Sequence, residues 1–151
     1  GAGSVMLQVN KTDTGFEAVE LFSLAEVGSQ IHQPIFYKDH LYLNNNENGR
    51  KDGMTCLGLD GKVKWMTNDT EGLPTFELGN LVMVDDLILN MDGRSGKLHM
   101  IAPTDTGYEE LASALVLTSK LKKYWGPMAV SQGKLLVRSQ ETLRCLDLRK
   151  P

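Results

Sequence analysis

Short apolar stretches alternate with polar turns along the whole chain. In residues 62–66, Val63 and Trp65 alternate with two lysines, which indicates a strand with one buried face. Asp60 and Gly61 come directly before this strand. An Asp-Gly pair between alternating segments predicts a hairpin, because both central positions of the favoured two-residue turn have positive φ. The pattern is therefore typical of short antiparallel strands.

Two sequence features recur at one period. The hexapeptide TDTGFE at positions 12–17 returns as TDTGYE at positions 104–109. Turn glycines lie 46 residues apart at Gly15, Gly61 and Gly107. Apolar stretches that begin at positions 41, 87 and 135 are separated by 46 and 48 residues. These spacings predict a repeat of about 46 residues, a period that must be identified before any single element is interpreted.

Each period contains four predicted strands, A to D, and four strands per 46 residues is typical of a β-propeller blade. The predicted strands span residues 5–9 and 16–22; 35–37, 41–43, 54–59 and 62–66; 81–84, 87–89 and 98–101; and 128–130, 135–137 and 143–148. Residues 109–117 also have helical periodicity, but the repeat places a strand D there, and we favour the strand.

The predicted fold class is all-β, with propeller blades of four antiparallel strands. About three blades form a partial ring within a single domain of residues 1–151. Its predicted blade parts are 1–26, 27–70, 71–118 and 119–151.

Composition excludes several classes of function. The net charge is −3, and 41% of the residues are hydrophobic, which favours a globular protein over a nucleic-acid binder or a disordered chain. The apolar stretches are too short for a transmembrane segment. The two cysteines and three histidines show no spacing typical of a metal site. The sequence therefore predicts no catalytic residue and no metal ligand.

The stretch TCLGLDGKVKW at residues 55–65 is similar to the tryptophan-docking repeat of the PQQ-like β-propellers, whose blades read roughly AxDxxTGxxxW. Residues 124–127, 133–138 and 143–150 resemble the way in which many bacterial members end. The resemblance implies a C-terminal segment of a protein of the quinoprotein alcohol dehydrogenase-like superfamily, with further blades before residue 1. It also implies a secreted protein with a periplasmic or extracellular location.

The resemblance implies two alternative functions. The first is a scaffold that binds a protein partner or a small molecule and has no chemistry of its own and no cofactor. The second is part of a quinoprotein dehydrogenase that binds PQQ and calcium, with ligands partly in other blades. Such enzymes carry a vicinal cysteine pair, which this sequence lacks. The docking tryptophan is present only at Trp65. Val19 and Leu111 occupy the matching positions of the neighbouring repeats. We favour the scaffold.

Propellers bind ligands at the mouth of the central channel, which the D-to-A and B-to-C loops of this family build. In these loops the candidate ligand contacts are His32, Gln33, Asn44, Asn90, Asp92, Trp125 and Arg138. For Trp125, packing and binding roles both remain open. For the basic run Lys120, Lys122 and Lys123 we favour a solvated loop over an anion site.

The remaining residues of interest receive structural interpretations. Trp65 is predicted to pack between blades. The predicted turn residues are Gly15, Asp60, Gly61 and Gly107. Cys56 and Cys145 hold equivalent strand-C positions two blades apart, so we expect two small buried residues and no disulfide. His99 is expected to be an ordinary strand residue.

The last expectation concerns partners. No nucleic acid is expected. The first predicted blade lacks strands A and B, and the last lacks strand D, which would leave apolar faces and strand edges uncovered. We therefore expect the chain to self-associate, most simply as a two-fold dimer.

Overall fold

The structure is a computed structural model that describes residues 3–46 and 53–149. The extreme ends of the predicted domain 1–151, and residue 150 of the family-like segment, lie outside the described residues. The strands are β1 (Ser4–Thr12), β2 (Gly15–Leu24), β3 (Ile35–Tyr37), β4 (His40–Asn45), β5 (Gly53–Gly58), β6 (Val63–Met66), β7 (Leu81–Val84), β8 (Leu87–Met91), β9 (Lys97–Ala102), β10 (Glu109–Leu115), β11 (Ala129–Ser131), β12 (Lys134–Arg138) and β13 (Leu143–Asp147).

The strands form four antiparallel sheets, and every strand pairs with its neighbour in the chain. Sheet 1 contains β1 and β2, sheet 2 contains β3 to β6, sheet 3 contains β7 to β10, and sheet 4 contains β11 to β13. The predicted all-β class is confirmed. Residues 109–115 form strand β10, so the strand is confirmed over the competing helix. A single 3₁₀ turn, Thr67–Asp69, is the one helical element in the described part of the chain.

Sheets 2, 3 and 4 open with the same kind of hairpin. Its two central residues both have positive φ, as the favoured two-residue turn requires. These pairs are Lys38 and Asp39, Asp85 and Asp86, and Gln132 and Gly133. Successive pairs begin 47 residues apart along the chain. The first two pairs contain no glycine, so the turn geometry recurs even where the residue type does not favour it.

The Asp60–Gly61 turn differs from the predicted one. Gly61 has a φ of 79°, but Asp60 is absent from the residues with positive φ. The amide of Gly58 donates to the Lys62 carbonyl oxygen at 2.9 Å, and the Gly61 amide donates to the Gly58 carbonyl oxygen at 3.0 Å. The loop therefore has three residues and ends in one left-handed glycine, which is the next most common hairpin type.

The four sheets pack face to face in chain order, with an apolar core at each interface. Between sheets 1 and 2 the buried residues are Val27, Leu43, Leu57 and Met66. Between sheets 2 and 3 they are Tyr42, Met54, Cys56, Phe76, Leu81, Ile88 and Ile101. Between sheets 3 and 4 they are Leu89, Met91, Leu98, Leu117, Tyr124, Leu135 and Val137.

The alternation of side chains along each strand explains how one sheet serves two cores. In β8, Ile88 faces sheet 2 and the next residue, Leu89, faces sheet 4. In β4, Tyr42 faces sheet 3 while Leu43 faces sheet 1. Successive residues of a strand point to opposite sides of the sheet. Sheets 2 and 3 therefore contribute apolar side chains from both of their faces to the cores.

Sheets 1 and 4 each have one face that no other described sheet covers. In sheet 1, Val9 is 64% exposed, and in sheet 4, Leu143 is 68% exposed. Cys145 lies on β13 and is exposed, whereas Cys56 is buried. The expectation of two buried cysteines is therefore wrong for Cys145, because its side of sheet 4 has no covering sheet in the described part of the chain. Both cysteines are free thiols, as expected.

Within residues 3–46 and 53–149, no helix is long and apolar enough to cross a membrane.

Candidate functional site

Trp65 connects sheet 2 to sheet 3. Its indole Nε1–H donates a hydrogen bond of 2.9 Å to the carbonyl oxygen of Thr104 in the turn between β9 and β10. The ring lies 6.2 Å from that of Tyr42 and 6.3 Å from that of Tyr108, the latter in an edge-on arrangement. These are the preferred distances for aromatic pairs. Trp65 therefore docks on the hairpin turn of the neighbouring sheet.

The structure corrects the residue that matches Trp65 in sheet 1. In β6, Trp65 follows a break in register and pairs with Cys56. In β2 the residue that follows the break is Phe22, which pairs with Met6, and Val19 lies three residues earlier. A Cβ atom on Gly61 would lie 2.9 Å from the Phe22 ring, so Phe22 packs on the turn of sheet 2. Phe22, and not Val19, makes the docking contact.

The other predicted turn residues lie in hairpin loops. Gly15 begins β2 directly after the β1 turn, and Gly107 accepts a hydrogen bond of 2.8 Å from the Thr104 hydroxyl. The Asp60 carboxylate accepts from the amide of Lys62 at 3.1 Å. Hydrogen bonds of this kind to nearby amides stabilise turns.

Asn44 and Asn90 form a buried pair between sheets 2 and 3. Each side-chain amide donates to the other's carbonyl oxygen, at 2.8 Å and 2.7 Å, and both residues are fully buried. Asn44 also donates to the carbonyl oxygen of Gly79 at 3.0 Å. The two residues are 46 positions apart, which equals the repeat period. The side-chain amides of Asn44 and Asn90 are thus hydrogen-bonded within the protein.

Asp92 lies directly after β8, in the loop between β8 and β9. Its carboxylate accepts hydrogen bonds from the amides of Arg94 at 2.9 Å and Ser95 at 2.7 Å. In sheet 4 the Ser139 hydroxyl oxygen accepts from the amides of Glu141 and Thr142 in the same way. This hydrogen-bond pattern fixes the loop after the second strand in sheets 3 and 4.

His32 and Gln33 line a cleft of about 360 Å³, here termed the histidine cleft. Its other lining residues are Ile31, Pro34, Ile35, Asn80, Leu81, Val82 and Met83. The imidazole lies within 3.0 Å of the Ser29 hydroxyl. Burial lowers the pKa of His32, although the backbone of Gln33 and Gly79 acts in the opposite direction. His32 therefore favours the neutral form at physiological pH.

Trp125 and Arg138 meet in a second cleft of about 220 Å³, here termed the tryptophan cleft. Its other lining residues are Lys123, Gly126, Pro127, Ser139 and Gln140. The Lys123 ammonium lies 5.3 Å from the centre of the indole ring, within the range of a cation–π interaction. The structure thus brings together two predicted ligand contacts from distant positions in the chain.

The two tryptophans differ in their hydrogen bonding. The Trp125 Nε1–H is buried and has no hydrogen-bond partner in the part of the chain that the structure describes, whereas that of Trp65 is satisfied. An unsatisfied buried donor costs about 1–3 kcal/mol. A hydrogen bond of the indole N–H therefore does not explain why position 125 is a tryptophan. The Trp125 ring forms one wall of the cleft.

A polar network that the sequence did not indicate lies beside the Asn44–Asn90 pair. His99 Nδ1 is 2.8 Å from a Glu110 carboxylate oxygen, which also accepts from the Tyr108 hydroxyl at 2.8 Å. His99 is almost fully buried and packs edge-on against Phe76, with ring centres 5.0 Å apart. His99 is thus the buried end of a polar network that reaches the surface at Glu110, as well as part of a strand.

The Glu110 carboxylate remains charged in this network. Burial pushes its pKa up, but hydrogen bonds from Ser113, His99 and Tyr108 outweigh that effect and lower the pKa to about 2. Burial and the Glu110 charge raise the pKa of Tyr108, so its hydroxyl stays protonated and donates. His99 and Tyr108 thus share one oxygen of the charged Glu110 carboxylate.

The thiol of Cys56 offers no nucleophile. Burial raises the pKa of Cys56 to about 11, which keeps the thiol protonated at neutral pH, and the thiolate is the reactive form. Among the described residues, no group of three or more His, Cys, Asp or Glu side chains could hold a metal ion.

The candidate ligand contacts thus separate into four places. His32 and Gln33 lie in the histidine cleft, Trp125 and Arg138 in the tryptophan cleft, Asn44 and Asn90 in the interior, and Asp92 in a turn. The two clefts share no lining residue. That these residues contact a ligand stays a prediction.

In comparisons with known proteins, no family model matches the chain, and no curated protein matches it. What defines the chain is an all-β architecture of four antiparallel sheets that carries a small cationic cleft at Trp125.

Proposed function

We propose that the four sheets are blades of a PQQ-like β-propeller, and that the chain is a scaffold for binding or protein interaction without chemistry of its own. The observation that carries the proposal is the repeated construction of the sheets. Three sheets open with the same left-handed two-residue turn at a spacing of 47 residues. Each sheet packs its face on the next in chain order, as blades of a propeller do.

Further contacts support this interpretation. The first strands of sheets 2 and 3, β3 and β7, contact each other, as the innermost strands of adjacent blades would. Trp65 and Phe22 each pack on a hairpin turn of the following sheet. The resemblance of residues 55–65 to the tryptophan-docking repeat implies that one aromatic residue of each blade packs on a hairpin turn of the following blade.

The binding role rests on the two clefts. The histidine cleft lies at the connections into the first strands of sheets 2 and 3, and the tryptophan cleft lies between the connection into β11 and the loop after β12. The family resemblance implies that such loops build the ligand-binding mouth of the channel. A periplasmic or extracellular location belongs to the same proposal through the family resemblance. Fractionation of a bacterial host that expresses the natural gene tests it: recovery of the protein in the cytoplasmic fraction would contradict the location.

A titration with PQQ and calcium distinguishes the scaffold from a quinoprotein dehydrogenase. The chain is titrated with PQQ in the presence and absence of calcium, and heat and PQQ absorbance are followed. We expect no calcium-dependent binding of PQQ. Stoichiometric, calcium-dependent binding of PQQ would overturn the scaffold and favour the enzyme.

Self-association is part of the proposal, with a second copy of this chain as the partner. The uncovered faces of sheets 1 and 4 continue the series of sheet-on-sheet interfaces that the interior already uses. Val9 and Phe16 in sheet 1 are 64% and 78% exposed, and Leu143 in sheet 4 is 68% exposed. Covering such residues is favourable by roughly 25 cal/mol per Å² of apolar surface. A dimer that joins these faces would contain six to seven blades' worth of strands.

A further inference from the structure

We propose that the tryptophan cleft binds a carboxylate group carried on a small, flat apolar body. This inference rests on the proposed binding function and names the chemistry of its ligand. It assigns a ligand class to the tryptophan cleft and makes no assignment for the histidine cleft.

The size of the cleft limits the ligand. A volume of about 220 Å³ lies below the roughly 300–1,000 Å³ of pockets that enclose drug-sized molecules. The cleft therefore fits one ring or one short side chain with its charged group. Such a group can come from a small molecule or from a residue of a polypeptide.

The charge of the cleft favours an anion. Lys123 and Arg138 line it, and no acidic residue does. Neither cation forms an ion pair with any residue in the described ranges. The nearest acidic residue in sequence, Glu141, accepts a hydrogen bond of 2.7 Å from the Ser119 hydroxyl. The cleft is thus locally positive on a chain whose net charge is −3, and close charges outweigh distant ones.

Arg138 is positioned by a glycine. A Cβ atom on Gly126 would lie 2.8 Å from two atoms of the Arg138 side chain. The absence of a side chain at Gly126 therefore lets the arginine stem lie against the backbone at the edge of the cleft. Glycine is required here by close approach and not by φ.

The combination of groups suits a carboxylate that is attached to a flat apolar body. A guanidinium presents its donors in a planar fork that matches the two oxygens of a carboxylate. The half-buried Trp125 ring supplies a flat apolar wall beside that fork, and aromatic faces stack on flat groups. The Ser139 oxygen accepts two backbone amides, which leaves its hydroxyl proton without an acceptor among the described residues.

The test uses the two tryptophans as reporters. The chain contains only Trp65 and Trp125, so 5-fluorotryptophan labelling gives two ¹⁹F resonances, which the Trp125→Phe variant assigns. Sodium benzoate is the probe, and benzamide is its neutral counterpart of nearly equal shape. We expect benzoate to shift the Trp125 resonance saturably, with a Kd on the order of 1 mM, and to leave Trp65 unmoved. Benzamide should give no saturable shift.

Two arginine variants provide the matched comparison. Arg138→Gln should weaken benzoate binding by about fivefold or more, the effect of removing one charge-assisted contact. Arg94→Gln removes a cation from the corresponding loop of sheet 3, where Arg94 lies 3.7 Å from Glu77, and should leave binding unchanged. Equal affinity in Arg138→Gln and the parent chain would overturn the inference.

Competition experiments distinguish the sources of the carboxylate and the anion class. Displacement of benzoate by a short glutamate-rich peptide would support a polypeptide as the source of the carboxylate. If benzoate binds and the peptide does not displace it, the result would support a small molecule. Inorganic phosphate that binds at Trp125 more tightly than benzoate would overturn the carboxylate class. Absence of any saturable shift up to tens of millimolar benzoate would overturn this inference alone, because the PQQ titration is decided by calcium-dependent binding, and no acidic residue that could hold calcium lines this cleft.

Discussion

Replacing Trp65 by Phe tests whether this tryptophan holds sheet 2 to sheet 3. The substitution keeps an aromatic ring near Tyr42 and Tyr108 but removes the Nε1–H, which donates to Thr104 at 2.9 Å. The matched control is Trp125→Phe, the same chemical change at a tryptophan whose N–H has no partner in the described residues.

The expected magnitudes follow from these contacts. A lost hydrogen bond of this kind lowers the free energy of unfolding by about 0.5–1.5 kcal/mol, and the smaller ring loses some buried area. For Trp65→Phe we expect a total loss of about 1–2 kcal/mol, or roughly 2–8 °C in Tm for a chain of this size. Trp125→Phe relieves an unsatisfied buried donor but also loses ring area and part of the contact with Lys123. Because these effects oppose each other, we expect a net change in the free energy of unfolding within about 0.5 kcal/mol.

Urea denaturation followed by far-ultraviolet circular dichroism measures both variants at one protein concentration. Circular dichroism is chosen because the substitutions alter tryptophan fluorescence directly. The same loss in both variants would contradict the docking role of Trp65. A larger loss in Trp125→Phe would show that position 125 serves packing more than binding.

Three further predictions follow from the buried polar groups and the exposed faces. Asn44→Ala and Asn90→Ala should each be strongly destabilising, but the double variant should lose less than the sum by about 1–2 kcal/mol in a double-mutant cycle; additive losses would contradict the pair. The lowered pKa of Glu110 makes its charge stabilising above its ordinary pKa of 4.5, and this stability is lost as the pH falls towards about 2. Glu110→Gln should therefore flatten the dependence of stability on pH between about 5 and 2, and an unchanged slope in acid denaturation would count against the network. Light scattering at low micromolar concentration should find the parent chain self-associated. The double variant Val9→Asp/Leu143→Asp should self-associate less. A clean monomer of the parent chain would contradict the dimer.

The strands were predictable from sequence because each is short and bounded by its own turn. The alternation at Val63 and Trp65 and the loop at Asp60 are local signals, and β6 begins at Val63, one residue after the predicted start. Strand β10 was predictable only through the repeat, since residues 109–117 also suit a helix. All of its residues are exposed, which explains why apolar periodicity alone was ambiguous there.

What the sequence could not predict depends on contacts between sheets. Phe22 was missed because the break in register lies farther from the hairpin turn in β2 than in β6. The docking residue therefore comes three residues after Val19, and alignment by spacing fails. The Asn44–Asn90 pair looks like two polar loop residues until both sheets are in place. Cys145 has the same local sequence as Cys56, and only the absence of a covering sheet among the described residues exposes it.

The candidate site was predictable in part. Trp125 and Arg138 were singled out from loops, and they line one cleft together. Lys123 was assigned to a solvated loop, because its sequence does not indicate that its ammonium group lies over the Trp125 ring. The network around Glu110 carried no sequence signal, since His99 and Tyr108 look like ordinary strand and turn residues.

Methyl–methyl contacts measured by NMR test the propeller arrangement most directly. In a chain labelled at isoleucine, leucine and valine methyl groups, we expect three separate contact networks, one for each sheet interface. Ile35 should contact Leu81, Leu41 should contact Leu24, and Val82 should contact Val130, as members of the same cores. Contacts from sheet 1 directly to sheet 3 or sheet 4 of the same chain, with one merged network, would contradict blades packed in chain order.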